Sequence, residues 1–126
     1  MISALLFATV VGFCTPQPAV SPSEAVDRYI SAYNGRDLAG IQATYSEDVR
    51  VHVWRQDGGA ESYEIAQLLQ SLSAYLGQNP QVQVAASQRV LLDTRLAQVE
   101  TYSTGAQALV IYTVVGGCVV ARDTYW

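Results

Sequence analysis

The chain holds a single histidine, His52, and imidazole is the one side chain whose unperturbed pKa lies near neutrality. His52 is therefore a candidate general base. In the run Val49-Arg50-Val51-His52-Val53-Trp54, strand alternation puts the three valines on one face and Arg50, His52 and Trp54 on the other. If the valines face the core, His52 faces outward beside Trp54, in a surface or dimer site. Arg122 and Asp123 are neighbours near the carboxy terminus and point to opposite faces of a strand. One face carries Val120, Arg122, Thr124 and Trp126, and the other Val119, Ala121, Asp123 and Tyr125. Whichever face turns inward brings a charge with it, and a charge buried without a partner is costly. An inward Arg122 could hold a carboxylate or an enolate oxygen, or pair with Glu100 or Glu64. Tyrosine is the abundant residue of mixed character, with eight copies. Each packs by default with its hydroxyl at a rim, and several in one pocket would suit a flat, partly apolar ligand. Asp93 and Arg95 read as a solvated connection, and Glu61 and Glu64 as acidic residues favoured at a helix start.

Length and composition bound what these residues can do. A chain of 126 residues makes one domain with a modest core. Half the residues are apolar, 14% are charged, and the formal charge is -4 with seven arginines and no lysine. No clustered positive face exists to follow a phosphate backbone, so no nucleic-acid partner is expected. No grouping of His, Cys, Asp and Glu has ligand spacing, so no metal and no cofactor are expected. Cys14 and Cys118 form no CxxC pair. Two free thiols is the plainer reading, and a bridge is the alternative in an oxidising compartment. Residues 1–13 carry no charged side chain and are too short to span a membrane. They match the apolar core of a secretory signal, with a cut after Gly12, although no Lys or Arg precedes them. The alternatives are a retained arm or a mis-assigned start. Export follows from the first reading and a cytoplasmic location from the others. Residues 15–20, TPQPAV, read as a linker.

The elements that must position these side chains follow in order. Ser21-Pro22-Ser23-Glu24 is a helix start, with Ser21 as the cap. Ala25, Val26, Tyr29, Ile30 and Tyr33 then recur at helical spacing up to Asn34-Gly35. Asp37 can cap a short second helix carrying Leu38, Ile41 and Tyr45. A first strand begins at Val49. Asp57-Gly58-Gly59 is a turn, and Ser62 can cap a third helix with Ile65, Leu68, Leu69, Leu72, Tyr75 and Leu76 on one side. Strands are expected at residues 82–92, 96–102, 108–115 and 118–126, with a bulge or bend near Val90-Leu91-Leu92. Gly116-Gly117 between the last two is a hairpin signal. The expected class is α+β, a curved antiparallel sheet wrapped around three helices in the order α-α-β-α-β-β-β-β. Such a cone has an inside.

The segment Ala32-Tyr-Asn-Gly-Arg-Asp-Leu-Ala-Gly-Ile41, followed by Tyr45-Ser-Glu-Asp-Val49, resembles the start of SnoaL-like domains of the nuclear-transport-factor-2-like, cystatin-like superfamily. Gly117-Cys-Val-Val-Ala-Arg-Asp-Thr-Tyr-Trp126 is similar to the family's last strand. The resemblance covers residues 21–126 and leaves residues 1–20 as an arm or signal peptide with its linker. It implies a pocket in the mouth of the cone without implying a catalyst, since the superfamily holds isomerases, cyclases, dehydratases, epoxide hydrolases, transport proteins and association domains. Among catalytic members the chain resembles the ketosteroid isomerases. Their oxyanion-donating tyrosine falls on Tyr29, their general-base aspartate on Val53, the neighbouring glutamate on His52, and their second oxyanion donor near Val110. A hydroxyl without a base cannot run that proton abstraction.

The resulting expectations are Tyr29, Arg122 and His52 as catalytic candidates, and Tyr33, Val53, Tyr112 and Trp126 as substrate-binding ones. One function is a cofactor-free isomerase, cyclase or dehydratase acting on an apolar oxygenated substrate. The alternative is a non-enzymatic ligand-binding or association domain, which requires His52, Asp123 and Glu64 to lie outside the cavity. The expected partners are a small apolar or aromatic ligand and a second copy of the chain, paired through the outer sheet face.

Overall fold

The computed structural model describes residues 12–126, so the signal-like residues 1–11 lie outside the described part. Helix α1 spans Pro22–Asn34 and starts as its sequence requires, with the Ser21 hydroxyl accepting from the Glu24 amide at 3.2 Å. Glu24 does not close a capping box; its carboxylate takes Arg28 one turn on, at 2.8 Å. Ala25, Val26, Tyr29 and Tyr33 are buried on one face. Helix α2, Leu38–Gln42, is capped by Asp37, whose carboxylate accepts from the Gly40 amide at 2.9 Å, and it buries Ile41. Helix α3, Ile65–Gln78, buries Ile65, Leu68 and Leu76. Among the described residues no helix is long and apolar enough to cross a membrane.

Among the described residues six strands form one sheet in the order β2-β1-β6-β5-β4-β3. They are β1 Tyr45–Trp54, β2 Ala60–Tyr63, β3 Val84–Leu92, β4 Arg95–Tyr102, β5 Gln107–Val115 and β6 Cys118–Tyr125. The fold is the expected α+β sheet curved around helices, with two details added. The pair β1–β6 is parallel, Val51 standing opposite Arg122 and His52 opposite Asp123, while every other pair is antiparallel. Strand β2 was not expected: residues 60–63 continue past the Asp57-Gly58-Gly59 turn and pair back on β1, from Trp54 with Ala60 to Val51 with Tyr63. Ser62 is thereby held in a strand, and the cap of α3 falls to Glu64, which forms a reciprocal capping box with Gln67. Tyr45, expected on the second helix, opens β1 opposite Val119. The β3 bend lies between Ser87 and Val90, where Gln88 takes a positive φ of 54°.

The Gly116-Gly117 turn brings Val115 opposite Cys118, with φ of 59° and 77° at the two glycines. It also receives the arm. A Cβ on Gly117 would lie 2.6 Å from the Cβ of Val20, so glycine is needed there for closeness as well as for φ. Residues 14–20, read from sequence as an arm and linker, therefore lie against the sheet end. The Cys14 amide donates to the Tyr45 carbonyl at 2.8 Å, and Phe13 packs against the core.

The free-thiol reading is corrected by the structure: Cys14 and Cys118 form a disulfide with Cα atoms 5.6 Å apart. The docked arm explains it, because the contacts at Tyr45 and Gly117 carry Cys14 to the start of β6. The bridge spans 104 residues of sequence, a loop long enough for the constraint on the unfolded chain to contribute about 2–5 kcal/mol. Replacing both cysteines by serine should lower Tm by on the order of 10 °C, measured by calorimetry without reductant. An unchanged Tm would contradict this account.

Candidate functional site

The concave sheet face and the helices enclose a cavity of about 350 Å³. Alternation aims it: Val51 and Val53 from β1, Tyr102 from β4, and Arg122 and Thr124 from β6 all point inward. Helix α1 contributes Tyr29 and Tyr33, α3 contributes Leu68, Leu72 and Tyr75, and Trp126 closes one side. At the rim Arg55 donates to one oxygen of Glu61 from both Nε and Nη2, at 3.0 and 2.6 Å. Tyr63 donates to the other oxygen at 2.5 Å.

The floor is polar and almost fully withdrawn from water. Arg122 is 6% exposed and Glu100 fully buried, with Nη2 3.8 Å from Oε1. That separation is an ion pair without a hydrogen bond. Nη1 of Arg122 donates to the hydroxyls of Tyr29 and Tyr45, both at 3.2 Å. The guanidinium also lies 5.2 Å from the ring centre of Tyr29 and 5.6 Å from that of Tyr112, within the range of cation–π attraction. Glu100 draws its hydrogen bonds from neutral groups. Tyr112 donates to Oε2, as does the Gln98 amide at 2.9 Å, and Tyr102 donates to Oε1 at 3.3 Å. From Gln98 the chain of polar contacts runs outward through Arg89 at 2.9 Å to Asp27 at 2.8 Å, on the surface of α1.

Burial sets the proton state of the tyrosines. It pushes the hydroxyls of Tyr29 and Tyr112 well above the ordinary tyrosine value, although Arg122 pulls the other way. Burial, aided by Tyr75, raises Tyr33 to about 12. Burial likewise raises Tyr45 and Tyr102. At neutral pH these are phenols, able to donate hydrogen bonds and unable to act as ready bases.

Of the residues singled out from sequence, Tyr29, Arg122, Tyr33, Val53 and Trp126 are brought together around this cavity. Tyr112 and His52 are not. Tyr112 sits a layer deeper, fully buried, where its hydroxyl is taken by Glu100. His52 is on the outer sheet face, because it alternates with the inward valines, and its Nδ1 lies 2.9 Å from the Ser62 hydroxyl. It lines a separate cleft between β1 and the start of α3, together with Glu64. Glu100 was weighed only as a partner for Arg122. Its signal was present in β4, where Leu96 and Tyr102 share its face, and a carboxylate on an apolar face is a buried carboxylate. The outward row on the same sheet runs Trp54, Tyr125, Leu109, Val99 across β1, β6, β5 and β4. Trp54 and Tyr125 stack there with ring centres 6.1 Å apart.

No family model and no curated protein sequence matches the chain. Solved structures match it closely in shape. A SnoaL-like protein of Burkholderia thailandensis E264 superimposes with a TM-score of 0.68 at 15% identity, over 87% of this chain and 97% of that one. IdmH of Streptomyces antibioticus, proposed to be a polyketide cyclase, gives 0.70 at 16% identity, over 82% and 89%. A protein of Kribbella flavida DSM 17836, proposed to be a ketosteroid isomerase, gives 0.68 at 21% identity, over 83% and 76%. At such identities the likeness is one of fold. The helices leading into a curved six-stranded sheet are those of the SnoaL-like, nuclear-transport-factor-2-like fold, and this chain has that fold.

Proposed function

We propose that the protein binds a small apolar or aromatic molecule carrying oxygen in the cavity of the cone, as a binding domain and not as a proton-transfer catalyst. The observation that carries this reading is the lining. Among the described residues it offers aromatic and aliphatic walls, phenol hydroxyls and two arginines, with no carboxylate or imidazole side chain, and at the rim both oxygens of Glu61 are taken by Arg55 and Tyr63. Proton abstraction needs a base within hydrogen-bond reach of the substrate. His52, Asp123 and Glu64 all lie outside the lining, and Glu100 is covered by the groups that hydrogen-bond to it.

Trp126 supplies a reporter, since it lines the cavity while Trp54 stands on the far face of the sheet. With Trp54→Phe removing the second indole, titration with 2-naphthol should quench Trp126 fluorescence saturably. Leu72→Trp, which fills the cavity, should abolish binding of 2-naphthol measured by calorimetry. A linear, unsaturated response in the first titration would sink the reading.

One observation favours a catalytic reading of the same cavity. Tyr102 lines it and donates to Glu100 at 3.3 Å, so a proton taken up by the Tyr102 oxygen could be balanced by transfer of the phenol proton to the carboxylate. Under that reading bound ketones exchange their α-protons with deuterated solvent, and Tyr102→Phe stops the exchange. Equal exchange rates with and without the protein would leave binding alone.

We also propose that the outer sheet face pairs two copies of the chain. Trp54 is 42% exposed, Tyr125 40% and Leu109 44%, an unbroken apolar row in register across three strands. Sedimentation should give a dimer at tens of micromolar and a monomer for Leu109→Glu. A monomeric native chain would exclude the pairing. The bridged cysteines support export to an oxidising compartment.

A further inference from the structure

We propose that the ligand of this cavity carries an oxyanion, a carboxylate, phenolate or enolate, that seats against Arg122. The inference rests on the reading of the cavity as a ligand site and adds the charge of what fills it.

A guanidinium has five N–H donors and no acceptor. In Arg122 two hydrogen bonds leave from Nη1, to Tyr29 and Tyr45. Nη2 stands 3.8 Å from Glu100, beyond hydrogen-bond length, and Nε is buried without any partner. The carboxylate that should complete the pair is already occupied, because Tyr112, Gln98 and Tyr102 donate to its two oxygens. Glu100 is satisfied by neutral donors while Arg122 keeps donors to spare. A side chain buried to this degree with unused donors costs free energy until an acceptor arrives.

The surroundings select the sign of that acceptor. The charged residues lining the cavity are Arg122 on the floor and Arg55 at the rim, and Arg55 is committed to Glu61. Each is countered by a carboxylate that does not line the cavity, Glu100 and Glu61, so among the described residues a ligand meets the donor side of two ion pairs between apolar walls. Tyr29 lines the cavity and accepts from Arg122, its hydroxyl shares a hydrogen bond with that of Tyr45, and burial keeps it a phenol. A planar cation with unused donors matches an oxyanion better than a neutral oxygen.

The test compares 2-naphthoate with 2-naphthalenemethanol, of nearly equal shape, by calorimetry on the whole chain. The acid should bind at least tenfold more tightly, and Arg122→Gln should bring it down to the affinity of the alcohol. Glu100→Gln should act in the opposite sense and strengthen binding of the acid severalfold, because a negative charge beside Nη2 is gone; a merely structural role of Glu100 would weaken it. Should Arg122→Gln fail to fold with Glu100 left alone, the double variant Arg122→Gln, Glu100→Gln removes both charges and should show the same loss of preference. Equal affinity of acid and alcohol for the native chain would overturn the oxyanion and leave the ligand site standing. Binding of neither would overturn both.

Discussion

A positive and a negative charge lie under the sheet of a small domain, and the cost of holding them there constrains most of what surrounds them. Withdrawing a single ion from water carries an effective penalty of several kcal/mol even after relaxation. The attraction between Arg122 and Glu100 offsets only part of it, since 3.8 Å is too long for a hydrogen bond between them. Their neighbours offset the rest: three neutral donors on the carboxylate, two phenol oxygens on the guanidinium, and two aromatic rings near the cation. Four of the eight tyrosines, Tyr29, Tyr45, Tyr102 and Tyr112, thereby form a solvation shell built from side chains. Phenol serves because its ring packs like a core residue and its hydroxyl still bonds a charge.

That shell draws on every layer of the fold. Tyr29 comes from α1, Tyr45 from β1, Gln98 and Tyr102 from β4, Tyr112 from β5, and Arg122 from β6. Their hydroxyls and amides meet only if the register of the sheet is correct, since a slip of one residue would turn the side chains of the slipped strand outward. The parallel β1–β6 pair matters here, for it sets Val51 beside Arg122 and so places the guanidinium between Tyr29 and Tyr45. The charges thus tie the cavity to one arrangement of strands.

The fold was legible where local chemistry acts alone. Ser21 and Asp37 cap as their types demand, Gly116-Gly117 turns the last hairpin, and the valines of β1 face in. Strand β2 was not legible, because Ala60-Glu61-Ser62-Tyr63 has no apolar alternation and pairs only because β1 offers an edge. For the site, alternation put Arg122 and Trp126 on one face of the last strand, and the family resemblance favoured that face and Tyr29 as the pocket lining. What they could not give is depth: Tyr112 shares the inward face and yet lies beneath the cavity floor. The disulfide was hidden for a related reason, since nothing near Cys14 in the sequence shows that the arm turns back across the end of the sheet.

The bridge from Cys14 to Cys118 closes nearly the whole domain into a covalent ring. Cys14 is fastened to the start of β6, so connectivity between residues 14 and 118 no longer depends on any one peptide bond between them. A protease that cuts the exposed Asp57-Gly58-Gly59 turn opens the ring without releasing a fragment, and the two halves remain joined while the sheet holds them in register.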